Sequence, residues 1–257
     1  MVNADVLTAG ELHLDTLFPF ELDDFQKQAI AALNNHHSVV VCAPTGSGKT
    51  LIGEYAIYRA LAHGKRVFYT TPLKALSNQK LRDFREQFGA DTVGLLTGDA
   101  SVNREAPVLV MTTEIFRNML YGTSIGQVGT SVQDVESVIL DECHYMNDRQ
   151  RGTVWEESII YAPPNIQLVA LSATVKNSDQ LTDWIHKVHG PTELIYSDFR
   201  PVPLRFHFCN PDGFFRLLNP KETGINPRLK SRGRQHRGKQ KTPTLAAVVS
   251  HLRLKIK

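Results

Sequence analysis

Eight consecutive residues, Ala43-Pro44-Thr45-Gly46-Ser47-Gly48-Lys49-Thr50, combine two glycines, three hydroxyls and a lysine. Glycines let a backbone wrap closely round an anion with its amides turned inward, and a lysine directly after them adds a full positive charge. This is the chemistry of a polyphosphate site. Pro44, Thr45, Gly46, Ser47 and Gly48 form the cradle, Lys49 reaches the β- and γ-phosphates, and the Thr50 hydroxyl holds Mg²⁺. Ala43 stands where the general pattern has glycine. A chance glycine turn is the rival reading, but a G-S-G-K-T run between an apolar strand and a helical pattern disfavours it. A nucleoside triphosphate with Mg²⁺ is the expected ligand.

Two acids, Asp141-Glu142, close the apolar run Ser137-Val138-Ile139-Leu140. An acid at such a strand end can share Mg²⁺ with Thr50 from the opposite side, and the next carboxylate can polarise an attacking water. Alone, the pair would mark a loop as readily as a site. Beside the phosphate loop it makes Lys49, Asp141 and Glu142 the candidate catalytic set.

These residues need a scaffold that brings distant segments together. Short β-rich runs at 39–42, 67–71, 108–112, 138–141 and 168–172 alternate with helical patterns at 49–62, 74–88, 114–121, 154–161 and 179–187. Strands and helices at this spacing predict crossover units: an α/β fold with a mainly parallel sheet flanked by helices on both faces. Ligands in such folds bind beyond the carboxyl ends of the strands, where all the chemical residues named here fall.

Asp141-Glu142-Cys143-His144 is a D-E-x-H box. With the phosphate loop and Ser172-Ala173-Thr174, it resembles the DExH helicases of superfamily two over residues 18–204. The resemblance implies the first RecA-like P-loop domain of an ATP-driven motor, with ATP and Mg²⁺ as cofactors. Phe20-Glu21-Leu22-Asp23-Asp24-Phe25-Gln26 looks like the adenine-recognising Q motif, with Phe20 stacking on the base and Gln26 reading its edge. Thr71-Pro72-Leu73-Lys74, Thr97-Gly98-Asp99 and Thr112-Thr113-Glu114 look like the motifs that grip a nucleic-acid strand. These carry hydroxyls and backbone amides, which suits phosphate positioning without sequence readout. The resemblance adds His144 to the candidate catalytic residues and implies that it links the nucleotide site to Ser172, Ala173 and Thr174, which relay its state to the strand side. The blander readings are packing for Phe20, solvation for Gln26, helix capping for Ser172 and Thr174, and β-propensity for Thr71 and Thr112. Cys143 reads as a small filler, not a reactive thiol.

Arg151-Gly152-Thr153-Val154-Trp155-Glu156-Glu157 and Arg200-Pro201-Val202-Pro203-Leu204 are similar to the superkiller-type helicases, which process RNA with exosome-like nucleases. That implies single-stranded RNA as partner, 3′-to-5′ translocation and an RNA-processing complex. DNA-repair helicases share much of the pattern, so DNA stays open as the alternative strand. A non-catalytic nucleic-acid-binding adaptor is the alternative of another class.

Composition bounds the rest. No apolar run in the 257 residues approaches the ~20 needed to span a bilayer, and the acidic start is unlike a signal peptide. Three widely spaced cysteines without a C-x-x-C pair disfavour a zinc site or a disulfide framework and point to an intracellular compartment. The adjacent His36 and His37 read as a solvated loop. Residues 219–257 hold eleven Lys or Arg against one acid, Glu222, while the remainder holds eighteen basic against twenty-five acidic residues. The basic character therefore belongs to the tail.

The expected organisation is an extension at 1–17, the motor domain at 18–204, a trailing segment at 205–218, a basic linker at 219–245 and a further element starting at 246–257. From 220 to 243 the chain is too poor in apolar residues to offset its entropy, so fixed structure is not expected there. No Q-x-x-G-R-x-G-R-like segment is found. The stretch Arg232-Gly233-Arg234-Gln235-His236-Arg237-Gly238 reads as linker. The expectation is one half of a motor, slow in turnover without an arginine finger, which is worth roughly 10³–10⁵ in rate in related NTPases.

Overall fold

The computed structural model describes residues 12–121, 132, 134–210, 213–221 and 223–230. In the first compact unit, Met1–Pro201, strands and helices alternate. They run α1 (Leu14–Leu17), α2 (Asp24–Asn34), β1 (Ser38–Cys42), α3 (Thr50–Ala62), β2 (Arg66–Thr71), α4 (Lys74–Phe88), β3 (Val93–Leu96), β4 (Ser101–Val102), β5 (Val108–Thr112) and α5 (Thr113–Leu120). There follow β6 (Val135–Leu140), a 3₁₀ turn at Cys143–Asn147, α6 (Gly152–Tyr161), β7 (Gln167–Ser172), α7 (Ser178–Val188) and β8 (Thr192–Tyr196).

The eight strands form one sheet in the order β4-β3-β5-β2-β6-β7-β1-β8. Every pairing is parallel except the short β3–β4 pair. Interior parallel strands are covered on both faces, which is why β1, β5 and β7 are buried at every residue. Successive side chains point to opposite faces and feed two cores. Val39, Val41, Tyr69, Val110, Ile139 and Leu171 pack with α2, α3 and α4 residues such as Leu33, Ile52 and Phe84. Val40, Cys42, Phe68, Leu109, Leu140 and Ala170 pack on the other side with Phe116, Trp155 and Ile185 from α5, α6 and α7. The expected α/β architecture, with helices on both faces, is the one observed.

Five elements of this unit escaped the sequence reading: the short α1 and β4, and α2, β3 and β8. β3 is four residues long and carries Gly94, and β8 is an edge strand whose side chains are mostly exposed or half-buried, so neither makes a long apolar run. α2 lies within the segment read as a motif. Its start is set by a capping box: Gln26 Oε1 accepts the backbone N–H of Asp23 at 2.9 Å.

The second unit, Val202–Lys257, contains an antiparallel pair, β9 (His207–Asn210) and β10 (Gly213–Arg216). His207 stacks on Phe214 with ring centroids 4.3 Å apart. Within the stretch expected to lack fixed structure, Ile225 bridges back to Leu218 and α8 (Pro227–Lys230) makes one helical turn. Local chemistry accounts for both: Asn219 Oδ1 accepts the Thr223 N–H at 3.0 Å, and Pro227 occupies the first helical position, where its fixed φ is favourable. The rest of that stretch, 231–243, and the element expected at 246–257 lie outside the described residues. Among the described residues, no helix is long and apolar enough to cross a membrane.

Candidate nucleotide and strand-binding site

The phosphate loop leaves the carboxyl end of β1 and enters α3. Gly46 and Gly48 take φ of +83° and +86°, the left-handed region that other residues resist. A Cβ on Gly48 would also come within 2.7 Å of Gln26 Nε2. Lys49 Nζ donates to the carbonyls of Ala43 at 2.7 Å and Pro44 at 3.1 Å. Burial lowers the Lys49 ammonium below the usual lysine range, and the carboxylates of Glu142 and Asp141 act in the opposite direction. Both acids of the D-E-x-H box therefore bear on the lysine of the loop, although 92 or more residues separate them in sequence.

The loop fits a phosphate chain. The Ser47 hydroxyl is buried and has no hydrogen-bond partner among the described residues. Buried polar groups are almost always paired, and a phosphate oxygen is the partner this loop can receive. At the start of α3 the Leu51 and Ile52 amides turn back to the Gly48 carbonyl at 3.2 Å and the Lys49 carbonyl at 3.1 Å, and the aligned peptide dipoles of the helix add to the attraction for an anion. Thr50 and Asp141 offer hard oxygen donors, which suit Mg²⁺ bound jointly with phosphates.

Asp141 follows directly on β6, and its carboxylate is held on both oxygens. Oδ2 accepts the Tyr69 hydroxyl at 2.8 Å, and Oδ1 accepts the Glu142 backbone N–H at 2.9 Å. Burial, reinforced by Asp141, raises Tyr69 well above the ordinary phenol range and keeps it a donor. Glu142 has φ of +53°, a strained left-handed conformation for a residue with a side chain. His144 Nδ1 lies 3.3 Å from Glu142 Oε2 and 3.5 Å from the Ala173 amide nitrogen. One ring nitrogen cannot donate to the first and accept from the second, so the tautomer decides which neighbour it serves. β7 lies between β6 and β1, and its last residue, Ser172, pairs with Cys42 and accepts the Ala43 N–H at 3.2 Å. Ser172, Ala173 and Thr174 thus lie between the phosphate loop and the acid box, with Ser172 buried and Thr174 exposed.

Gln26 is buried, and its Nε2 donates to the Gly48 carbonyl at 3.2 Å. Phe20 is exposed at 59%, its ring 6.1 Å from that of Phe18.

The three loops expected to grip a strand lie at the ends of the neighbouring strands β2, β3 and β5. Their hydroxyls build the loops. Thr71 is wholly buried and donates to Leu73 O at 3.1 Å, Thr113 donates to Thr71 O at 3.2 Å, and Thr97 donates to Asp99 Oδ1 at 2.9 Å. Thr112 and Pro72 are buried as well. The side chains left facing outward are Leu73, Lys74 and Asp99, with Gly98 exposed beside them and Glu114 half-buried. Lys74 pairs with Asp99 at 3.0 Å, and the hydrogen bonds from Lys74 and Thr97 lower the Asp99 carboxyl below its usual range.

Four residues without an assigned role tie the site together. Arg151 donates through Nε to Glu114 Oε1 at 3.0 Å and through Nη2 to the Pro72 carbonyl, joining the segments that follow β2 and β5. Arg200 Nη1 donates to the Thr45 carbonyl at 3.1 Å. Lys80 Nζ lies 3.5 Å from Thr50 Oγ1, and Tyr69 holds Asp141. Arg151 and Arg200 open the two segments similar to superkiller-type helicases, and Tyr69 carried a physical signal, since a tyrosine in a buried strand must find a partner for its hydroxyl.

A family model described as DEAD/DEAH box helicase matches residues 23–181. The chain belongs to the DEAD/DEAH box helicase family.

This family member is 53% identical over 218 residues to the DExH-box ATP-dependent RNA helicase DExH15, chloroplastic, of Arabidopsis thaliana, covering 84% of this chain and 18% of that protein. It is 53% identical over 201 residues to the probable helicase HelY of Mycobacterium tuberculosis, covering 78% of this chain and 22% of that one. It is 48% identical over 198 residues to the ATP-dependent RNA helicase mtr4 of Schizosaccharomyces pombe, covering 76% and 17%. The chain spans about a fifth of the length of these relatives. Among solved structures, the Mycobacterium smegmatis helicase Lhr bound to ssDNA and AMP-PNP matches with a TM-score of 0.55 and 28% identity, over 70% of this chain and 26% of that one. The DUF1998 helicase MrfA bound to DNA matches with a TM-score of 0.57 at 18% identity, over 76% and 29%, a likeness of fold alone.

Proposed function

We propose that this chain is the ATP-binding motor domain of an ATP-dependent RNA helicase that translocates 3′ to 5′ along single-stranded RNA. The observation that carries the reading is the phosphate loop after β1, with Gly46 and Gly48 in the left-handed region and the buried Ser47 hydroxyl unpartnered among the described residues, in one sheet with Asp141 at the end of β6 and the loops that present Lys74. Hydrolysis is attack of water on the γ-phosphorus, breaking its bond to the β–γ bridging oxygen and yielding ADP and phosphate. Lys49 and the loop amides neutralise the phosphates, Ser47 donates to an oxygen, Phe20 stacks on adenine and Gln26 reads its edge. Glu142 orients the water and takes its proton. Thr50 and Asp141 would hold Mg²⁺, which when bound would add charge neutralisation at the phosphates. His144 and Ser172, Ala173 and Thr174 carry the nucleotide state toward the strand loops.

RNA is favoured by the relatives whose names specify RNA helicase, at 53% and 48% identity. The Lhr structure, bound to ssDNA, is the specific reason to keep DNA as the second reading. A role beside exosome-like nucleases rests on the superkiller-type resemblance. The test is ATP turnover by the protein with RNA, with DNA and with neither. Stimulation by RNA above DNA supports the reading, stimulation by DNA alone moves the protein to the second, and no turnover in any arm overturns both.

A further inference from the structure

Both oxygens of the Asp141 carboxylate already accept one hydrogen bond, from the Tyr69 hydroxyl at 2.8 Å and the Glu142 amide at 2.9 Å. A carboxylate offers about four lone-pair positions, so roughly one per oxygen is left for a metal or its water. The amide donor is local and would be present whatever residue stood at 141. The phenol comes from β2, 72 residues away in sequence, and aims the carboxylate across the strands.

The Tyr69 ring has no room to turn. It is wholly buried, packs edge-on against Phe84 at 5.0 Å, and lies within 3.1 Å of where a Cβ on Gly53 would stand. Gly53 belongs to α3, the helix that begins with Thr50. Over the same ring, 5.3 Å from its centre, lies the Lys80 ammonium, which also approaches Thr50 Oγ1 at 3.5 Å. One phenol therefore touches the surroundings of both side chains that would hold Mg²⁺, and through Lys80 it reaches α4, the helix that begins at Lys74.

We propose that Tyr69 is a positioning residue for the magnesium–nucleotide complex, holding Asp141 in the orientation that meets the metal opposite Thr50. This rests on the nucleotide-site reading above. Outer-shell hydrogen bonds orient metal-binding carboxylates, and their loss characteristically costs about 10–100-fold in metal affinity.

The test is Tyr69→Phe in the full 257-residue chain, which keeps the ring and removes only the hydroxyl. A fluorescent ADP analogue is titrated in EDTA and at increasing Mg²⁺, and melting is followed in EDTA. The Mg²⁺ midpoint should rise about tenfold or more, while ADP affinity in EDTA changes by less than about twofold. Thr70→Val is the companion variant. It removes a buried hydroxyl on the same strand that has no hydrogen-bond partner among the described residues, and it should leave the midpoint where it is. An unchanged midpoint in Tyr69→Phe overturns the role, as does an equal loss with and without Mg²⁺ or an equal shift in Thr70→Val. If the unmutated chain shows no Mg²⁺-dependent ADP binding, the nucleotide-site reading falls and takes this role with it.

Discussion

The side-chain amide of Gln26 donates to the carbonyl of Gly48 at 3.2 Å, while its oxygen accepts the N–H of Asp23 at 2.9 Å. One buried glutamine thus starts α2 and braces the phosphate loop. An amide has two donor hydrogens and two acceptor lone pairs, so one of each is left for the edge of a base.

Gln26→Ala should therefore act twice. Losing its half of the capping box should cost about 0.5–1.5 kcal/mol of stability. Preference for ATP over GTP should narrow as well, since the remaining donor and acceptor match adenine and not guanine. Thermal melting and competition between the two nucleotides check both parts. Equal affinity for ATP and GTP in the unmutated chain would remove the base-reading role and leave only the brace.

The three cysteines should separate cleanly in a thiol titration. Cys143 is fully buried and pushed up to about 12, and burial raises Cys42 as well, whereas Cys209 is exposed. Only the thiolate reacts with alkylating agents. At pH 8 the native chain should titrate one thiol and the denatured chain three. Rapid native labelling of Cys143 would contradict its place as a packing residue inside the D-E-x-H box.

Much of the nucleotide site was legible because it is written in contiguous residues. Ala43 to Thr50 and Asp141 to His144 each carry their chemistry within one turn of chain, and the apolar strands before them predicted the sheet. What stayed hidden depends on folding. Arg151 meets Glu114 and Pro72 across 37 and 79 residues, and no spacing rule connects them. The hydroxyls of Thr71 and Thr113 suggested strand contacts by type, but burial turns both inward to build the loops. Direction of a side chain at a strand end is decided by the neighbouring strands, which a linear reading does not see.

Arg151→Ala should loosen the strand loops without touching the phosphates. Its charged hydrogen bonds to Glu114 and the Pro72 carbonyl are of the kind worth about 1.5–3 kcal/mol, so affinity for a single-stranded RNA oligonucleotide should fall roughly tenfold. Nucleotide affinity should hold. Arg151→Lys should rescue little, because an ammonium cannot reproduce the planar fork. Unchanged RNA affinity in the alanine variant would show that the brace is irrelevant to the strand.

The central claim is that Lys49 and its loop bind the phosphates of ATP. Calorimetry of Mg-ATP binding to the unmutated chain and to Lys49→Ala tests it most directly, with circular dichroism confirming that both fold. If Lys49 gives charge-assisted hydrogen bonds to the phosphates, their loss should weaken binding by about a hundredfold while the helical signal stays the same. Equal affinity for Mg-ATP in the two proteins would contradict the account.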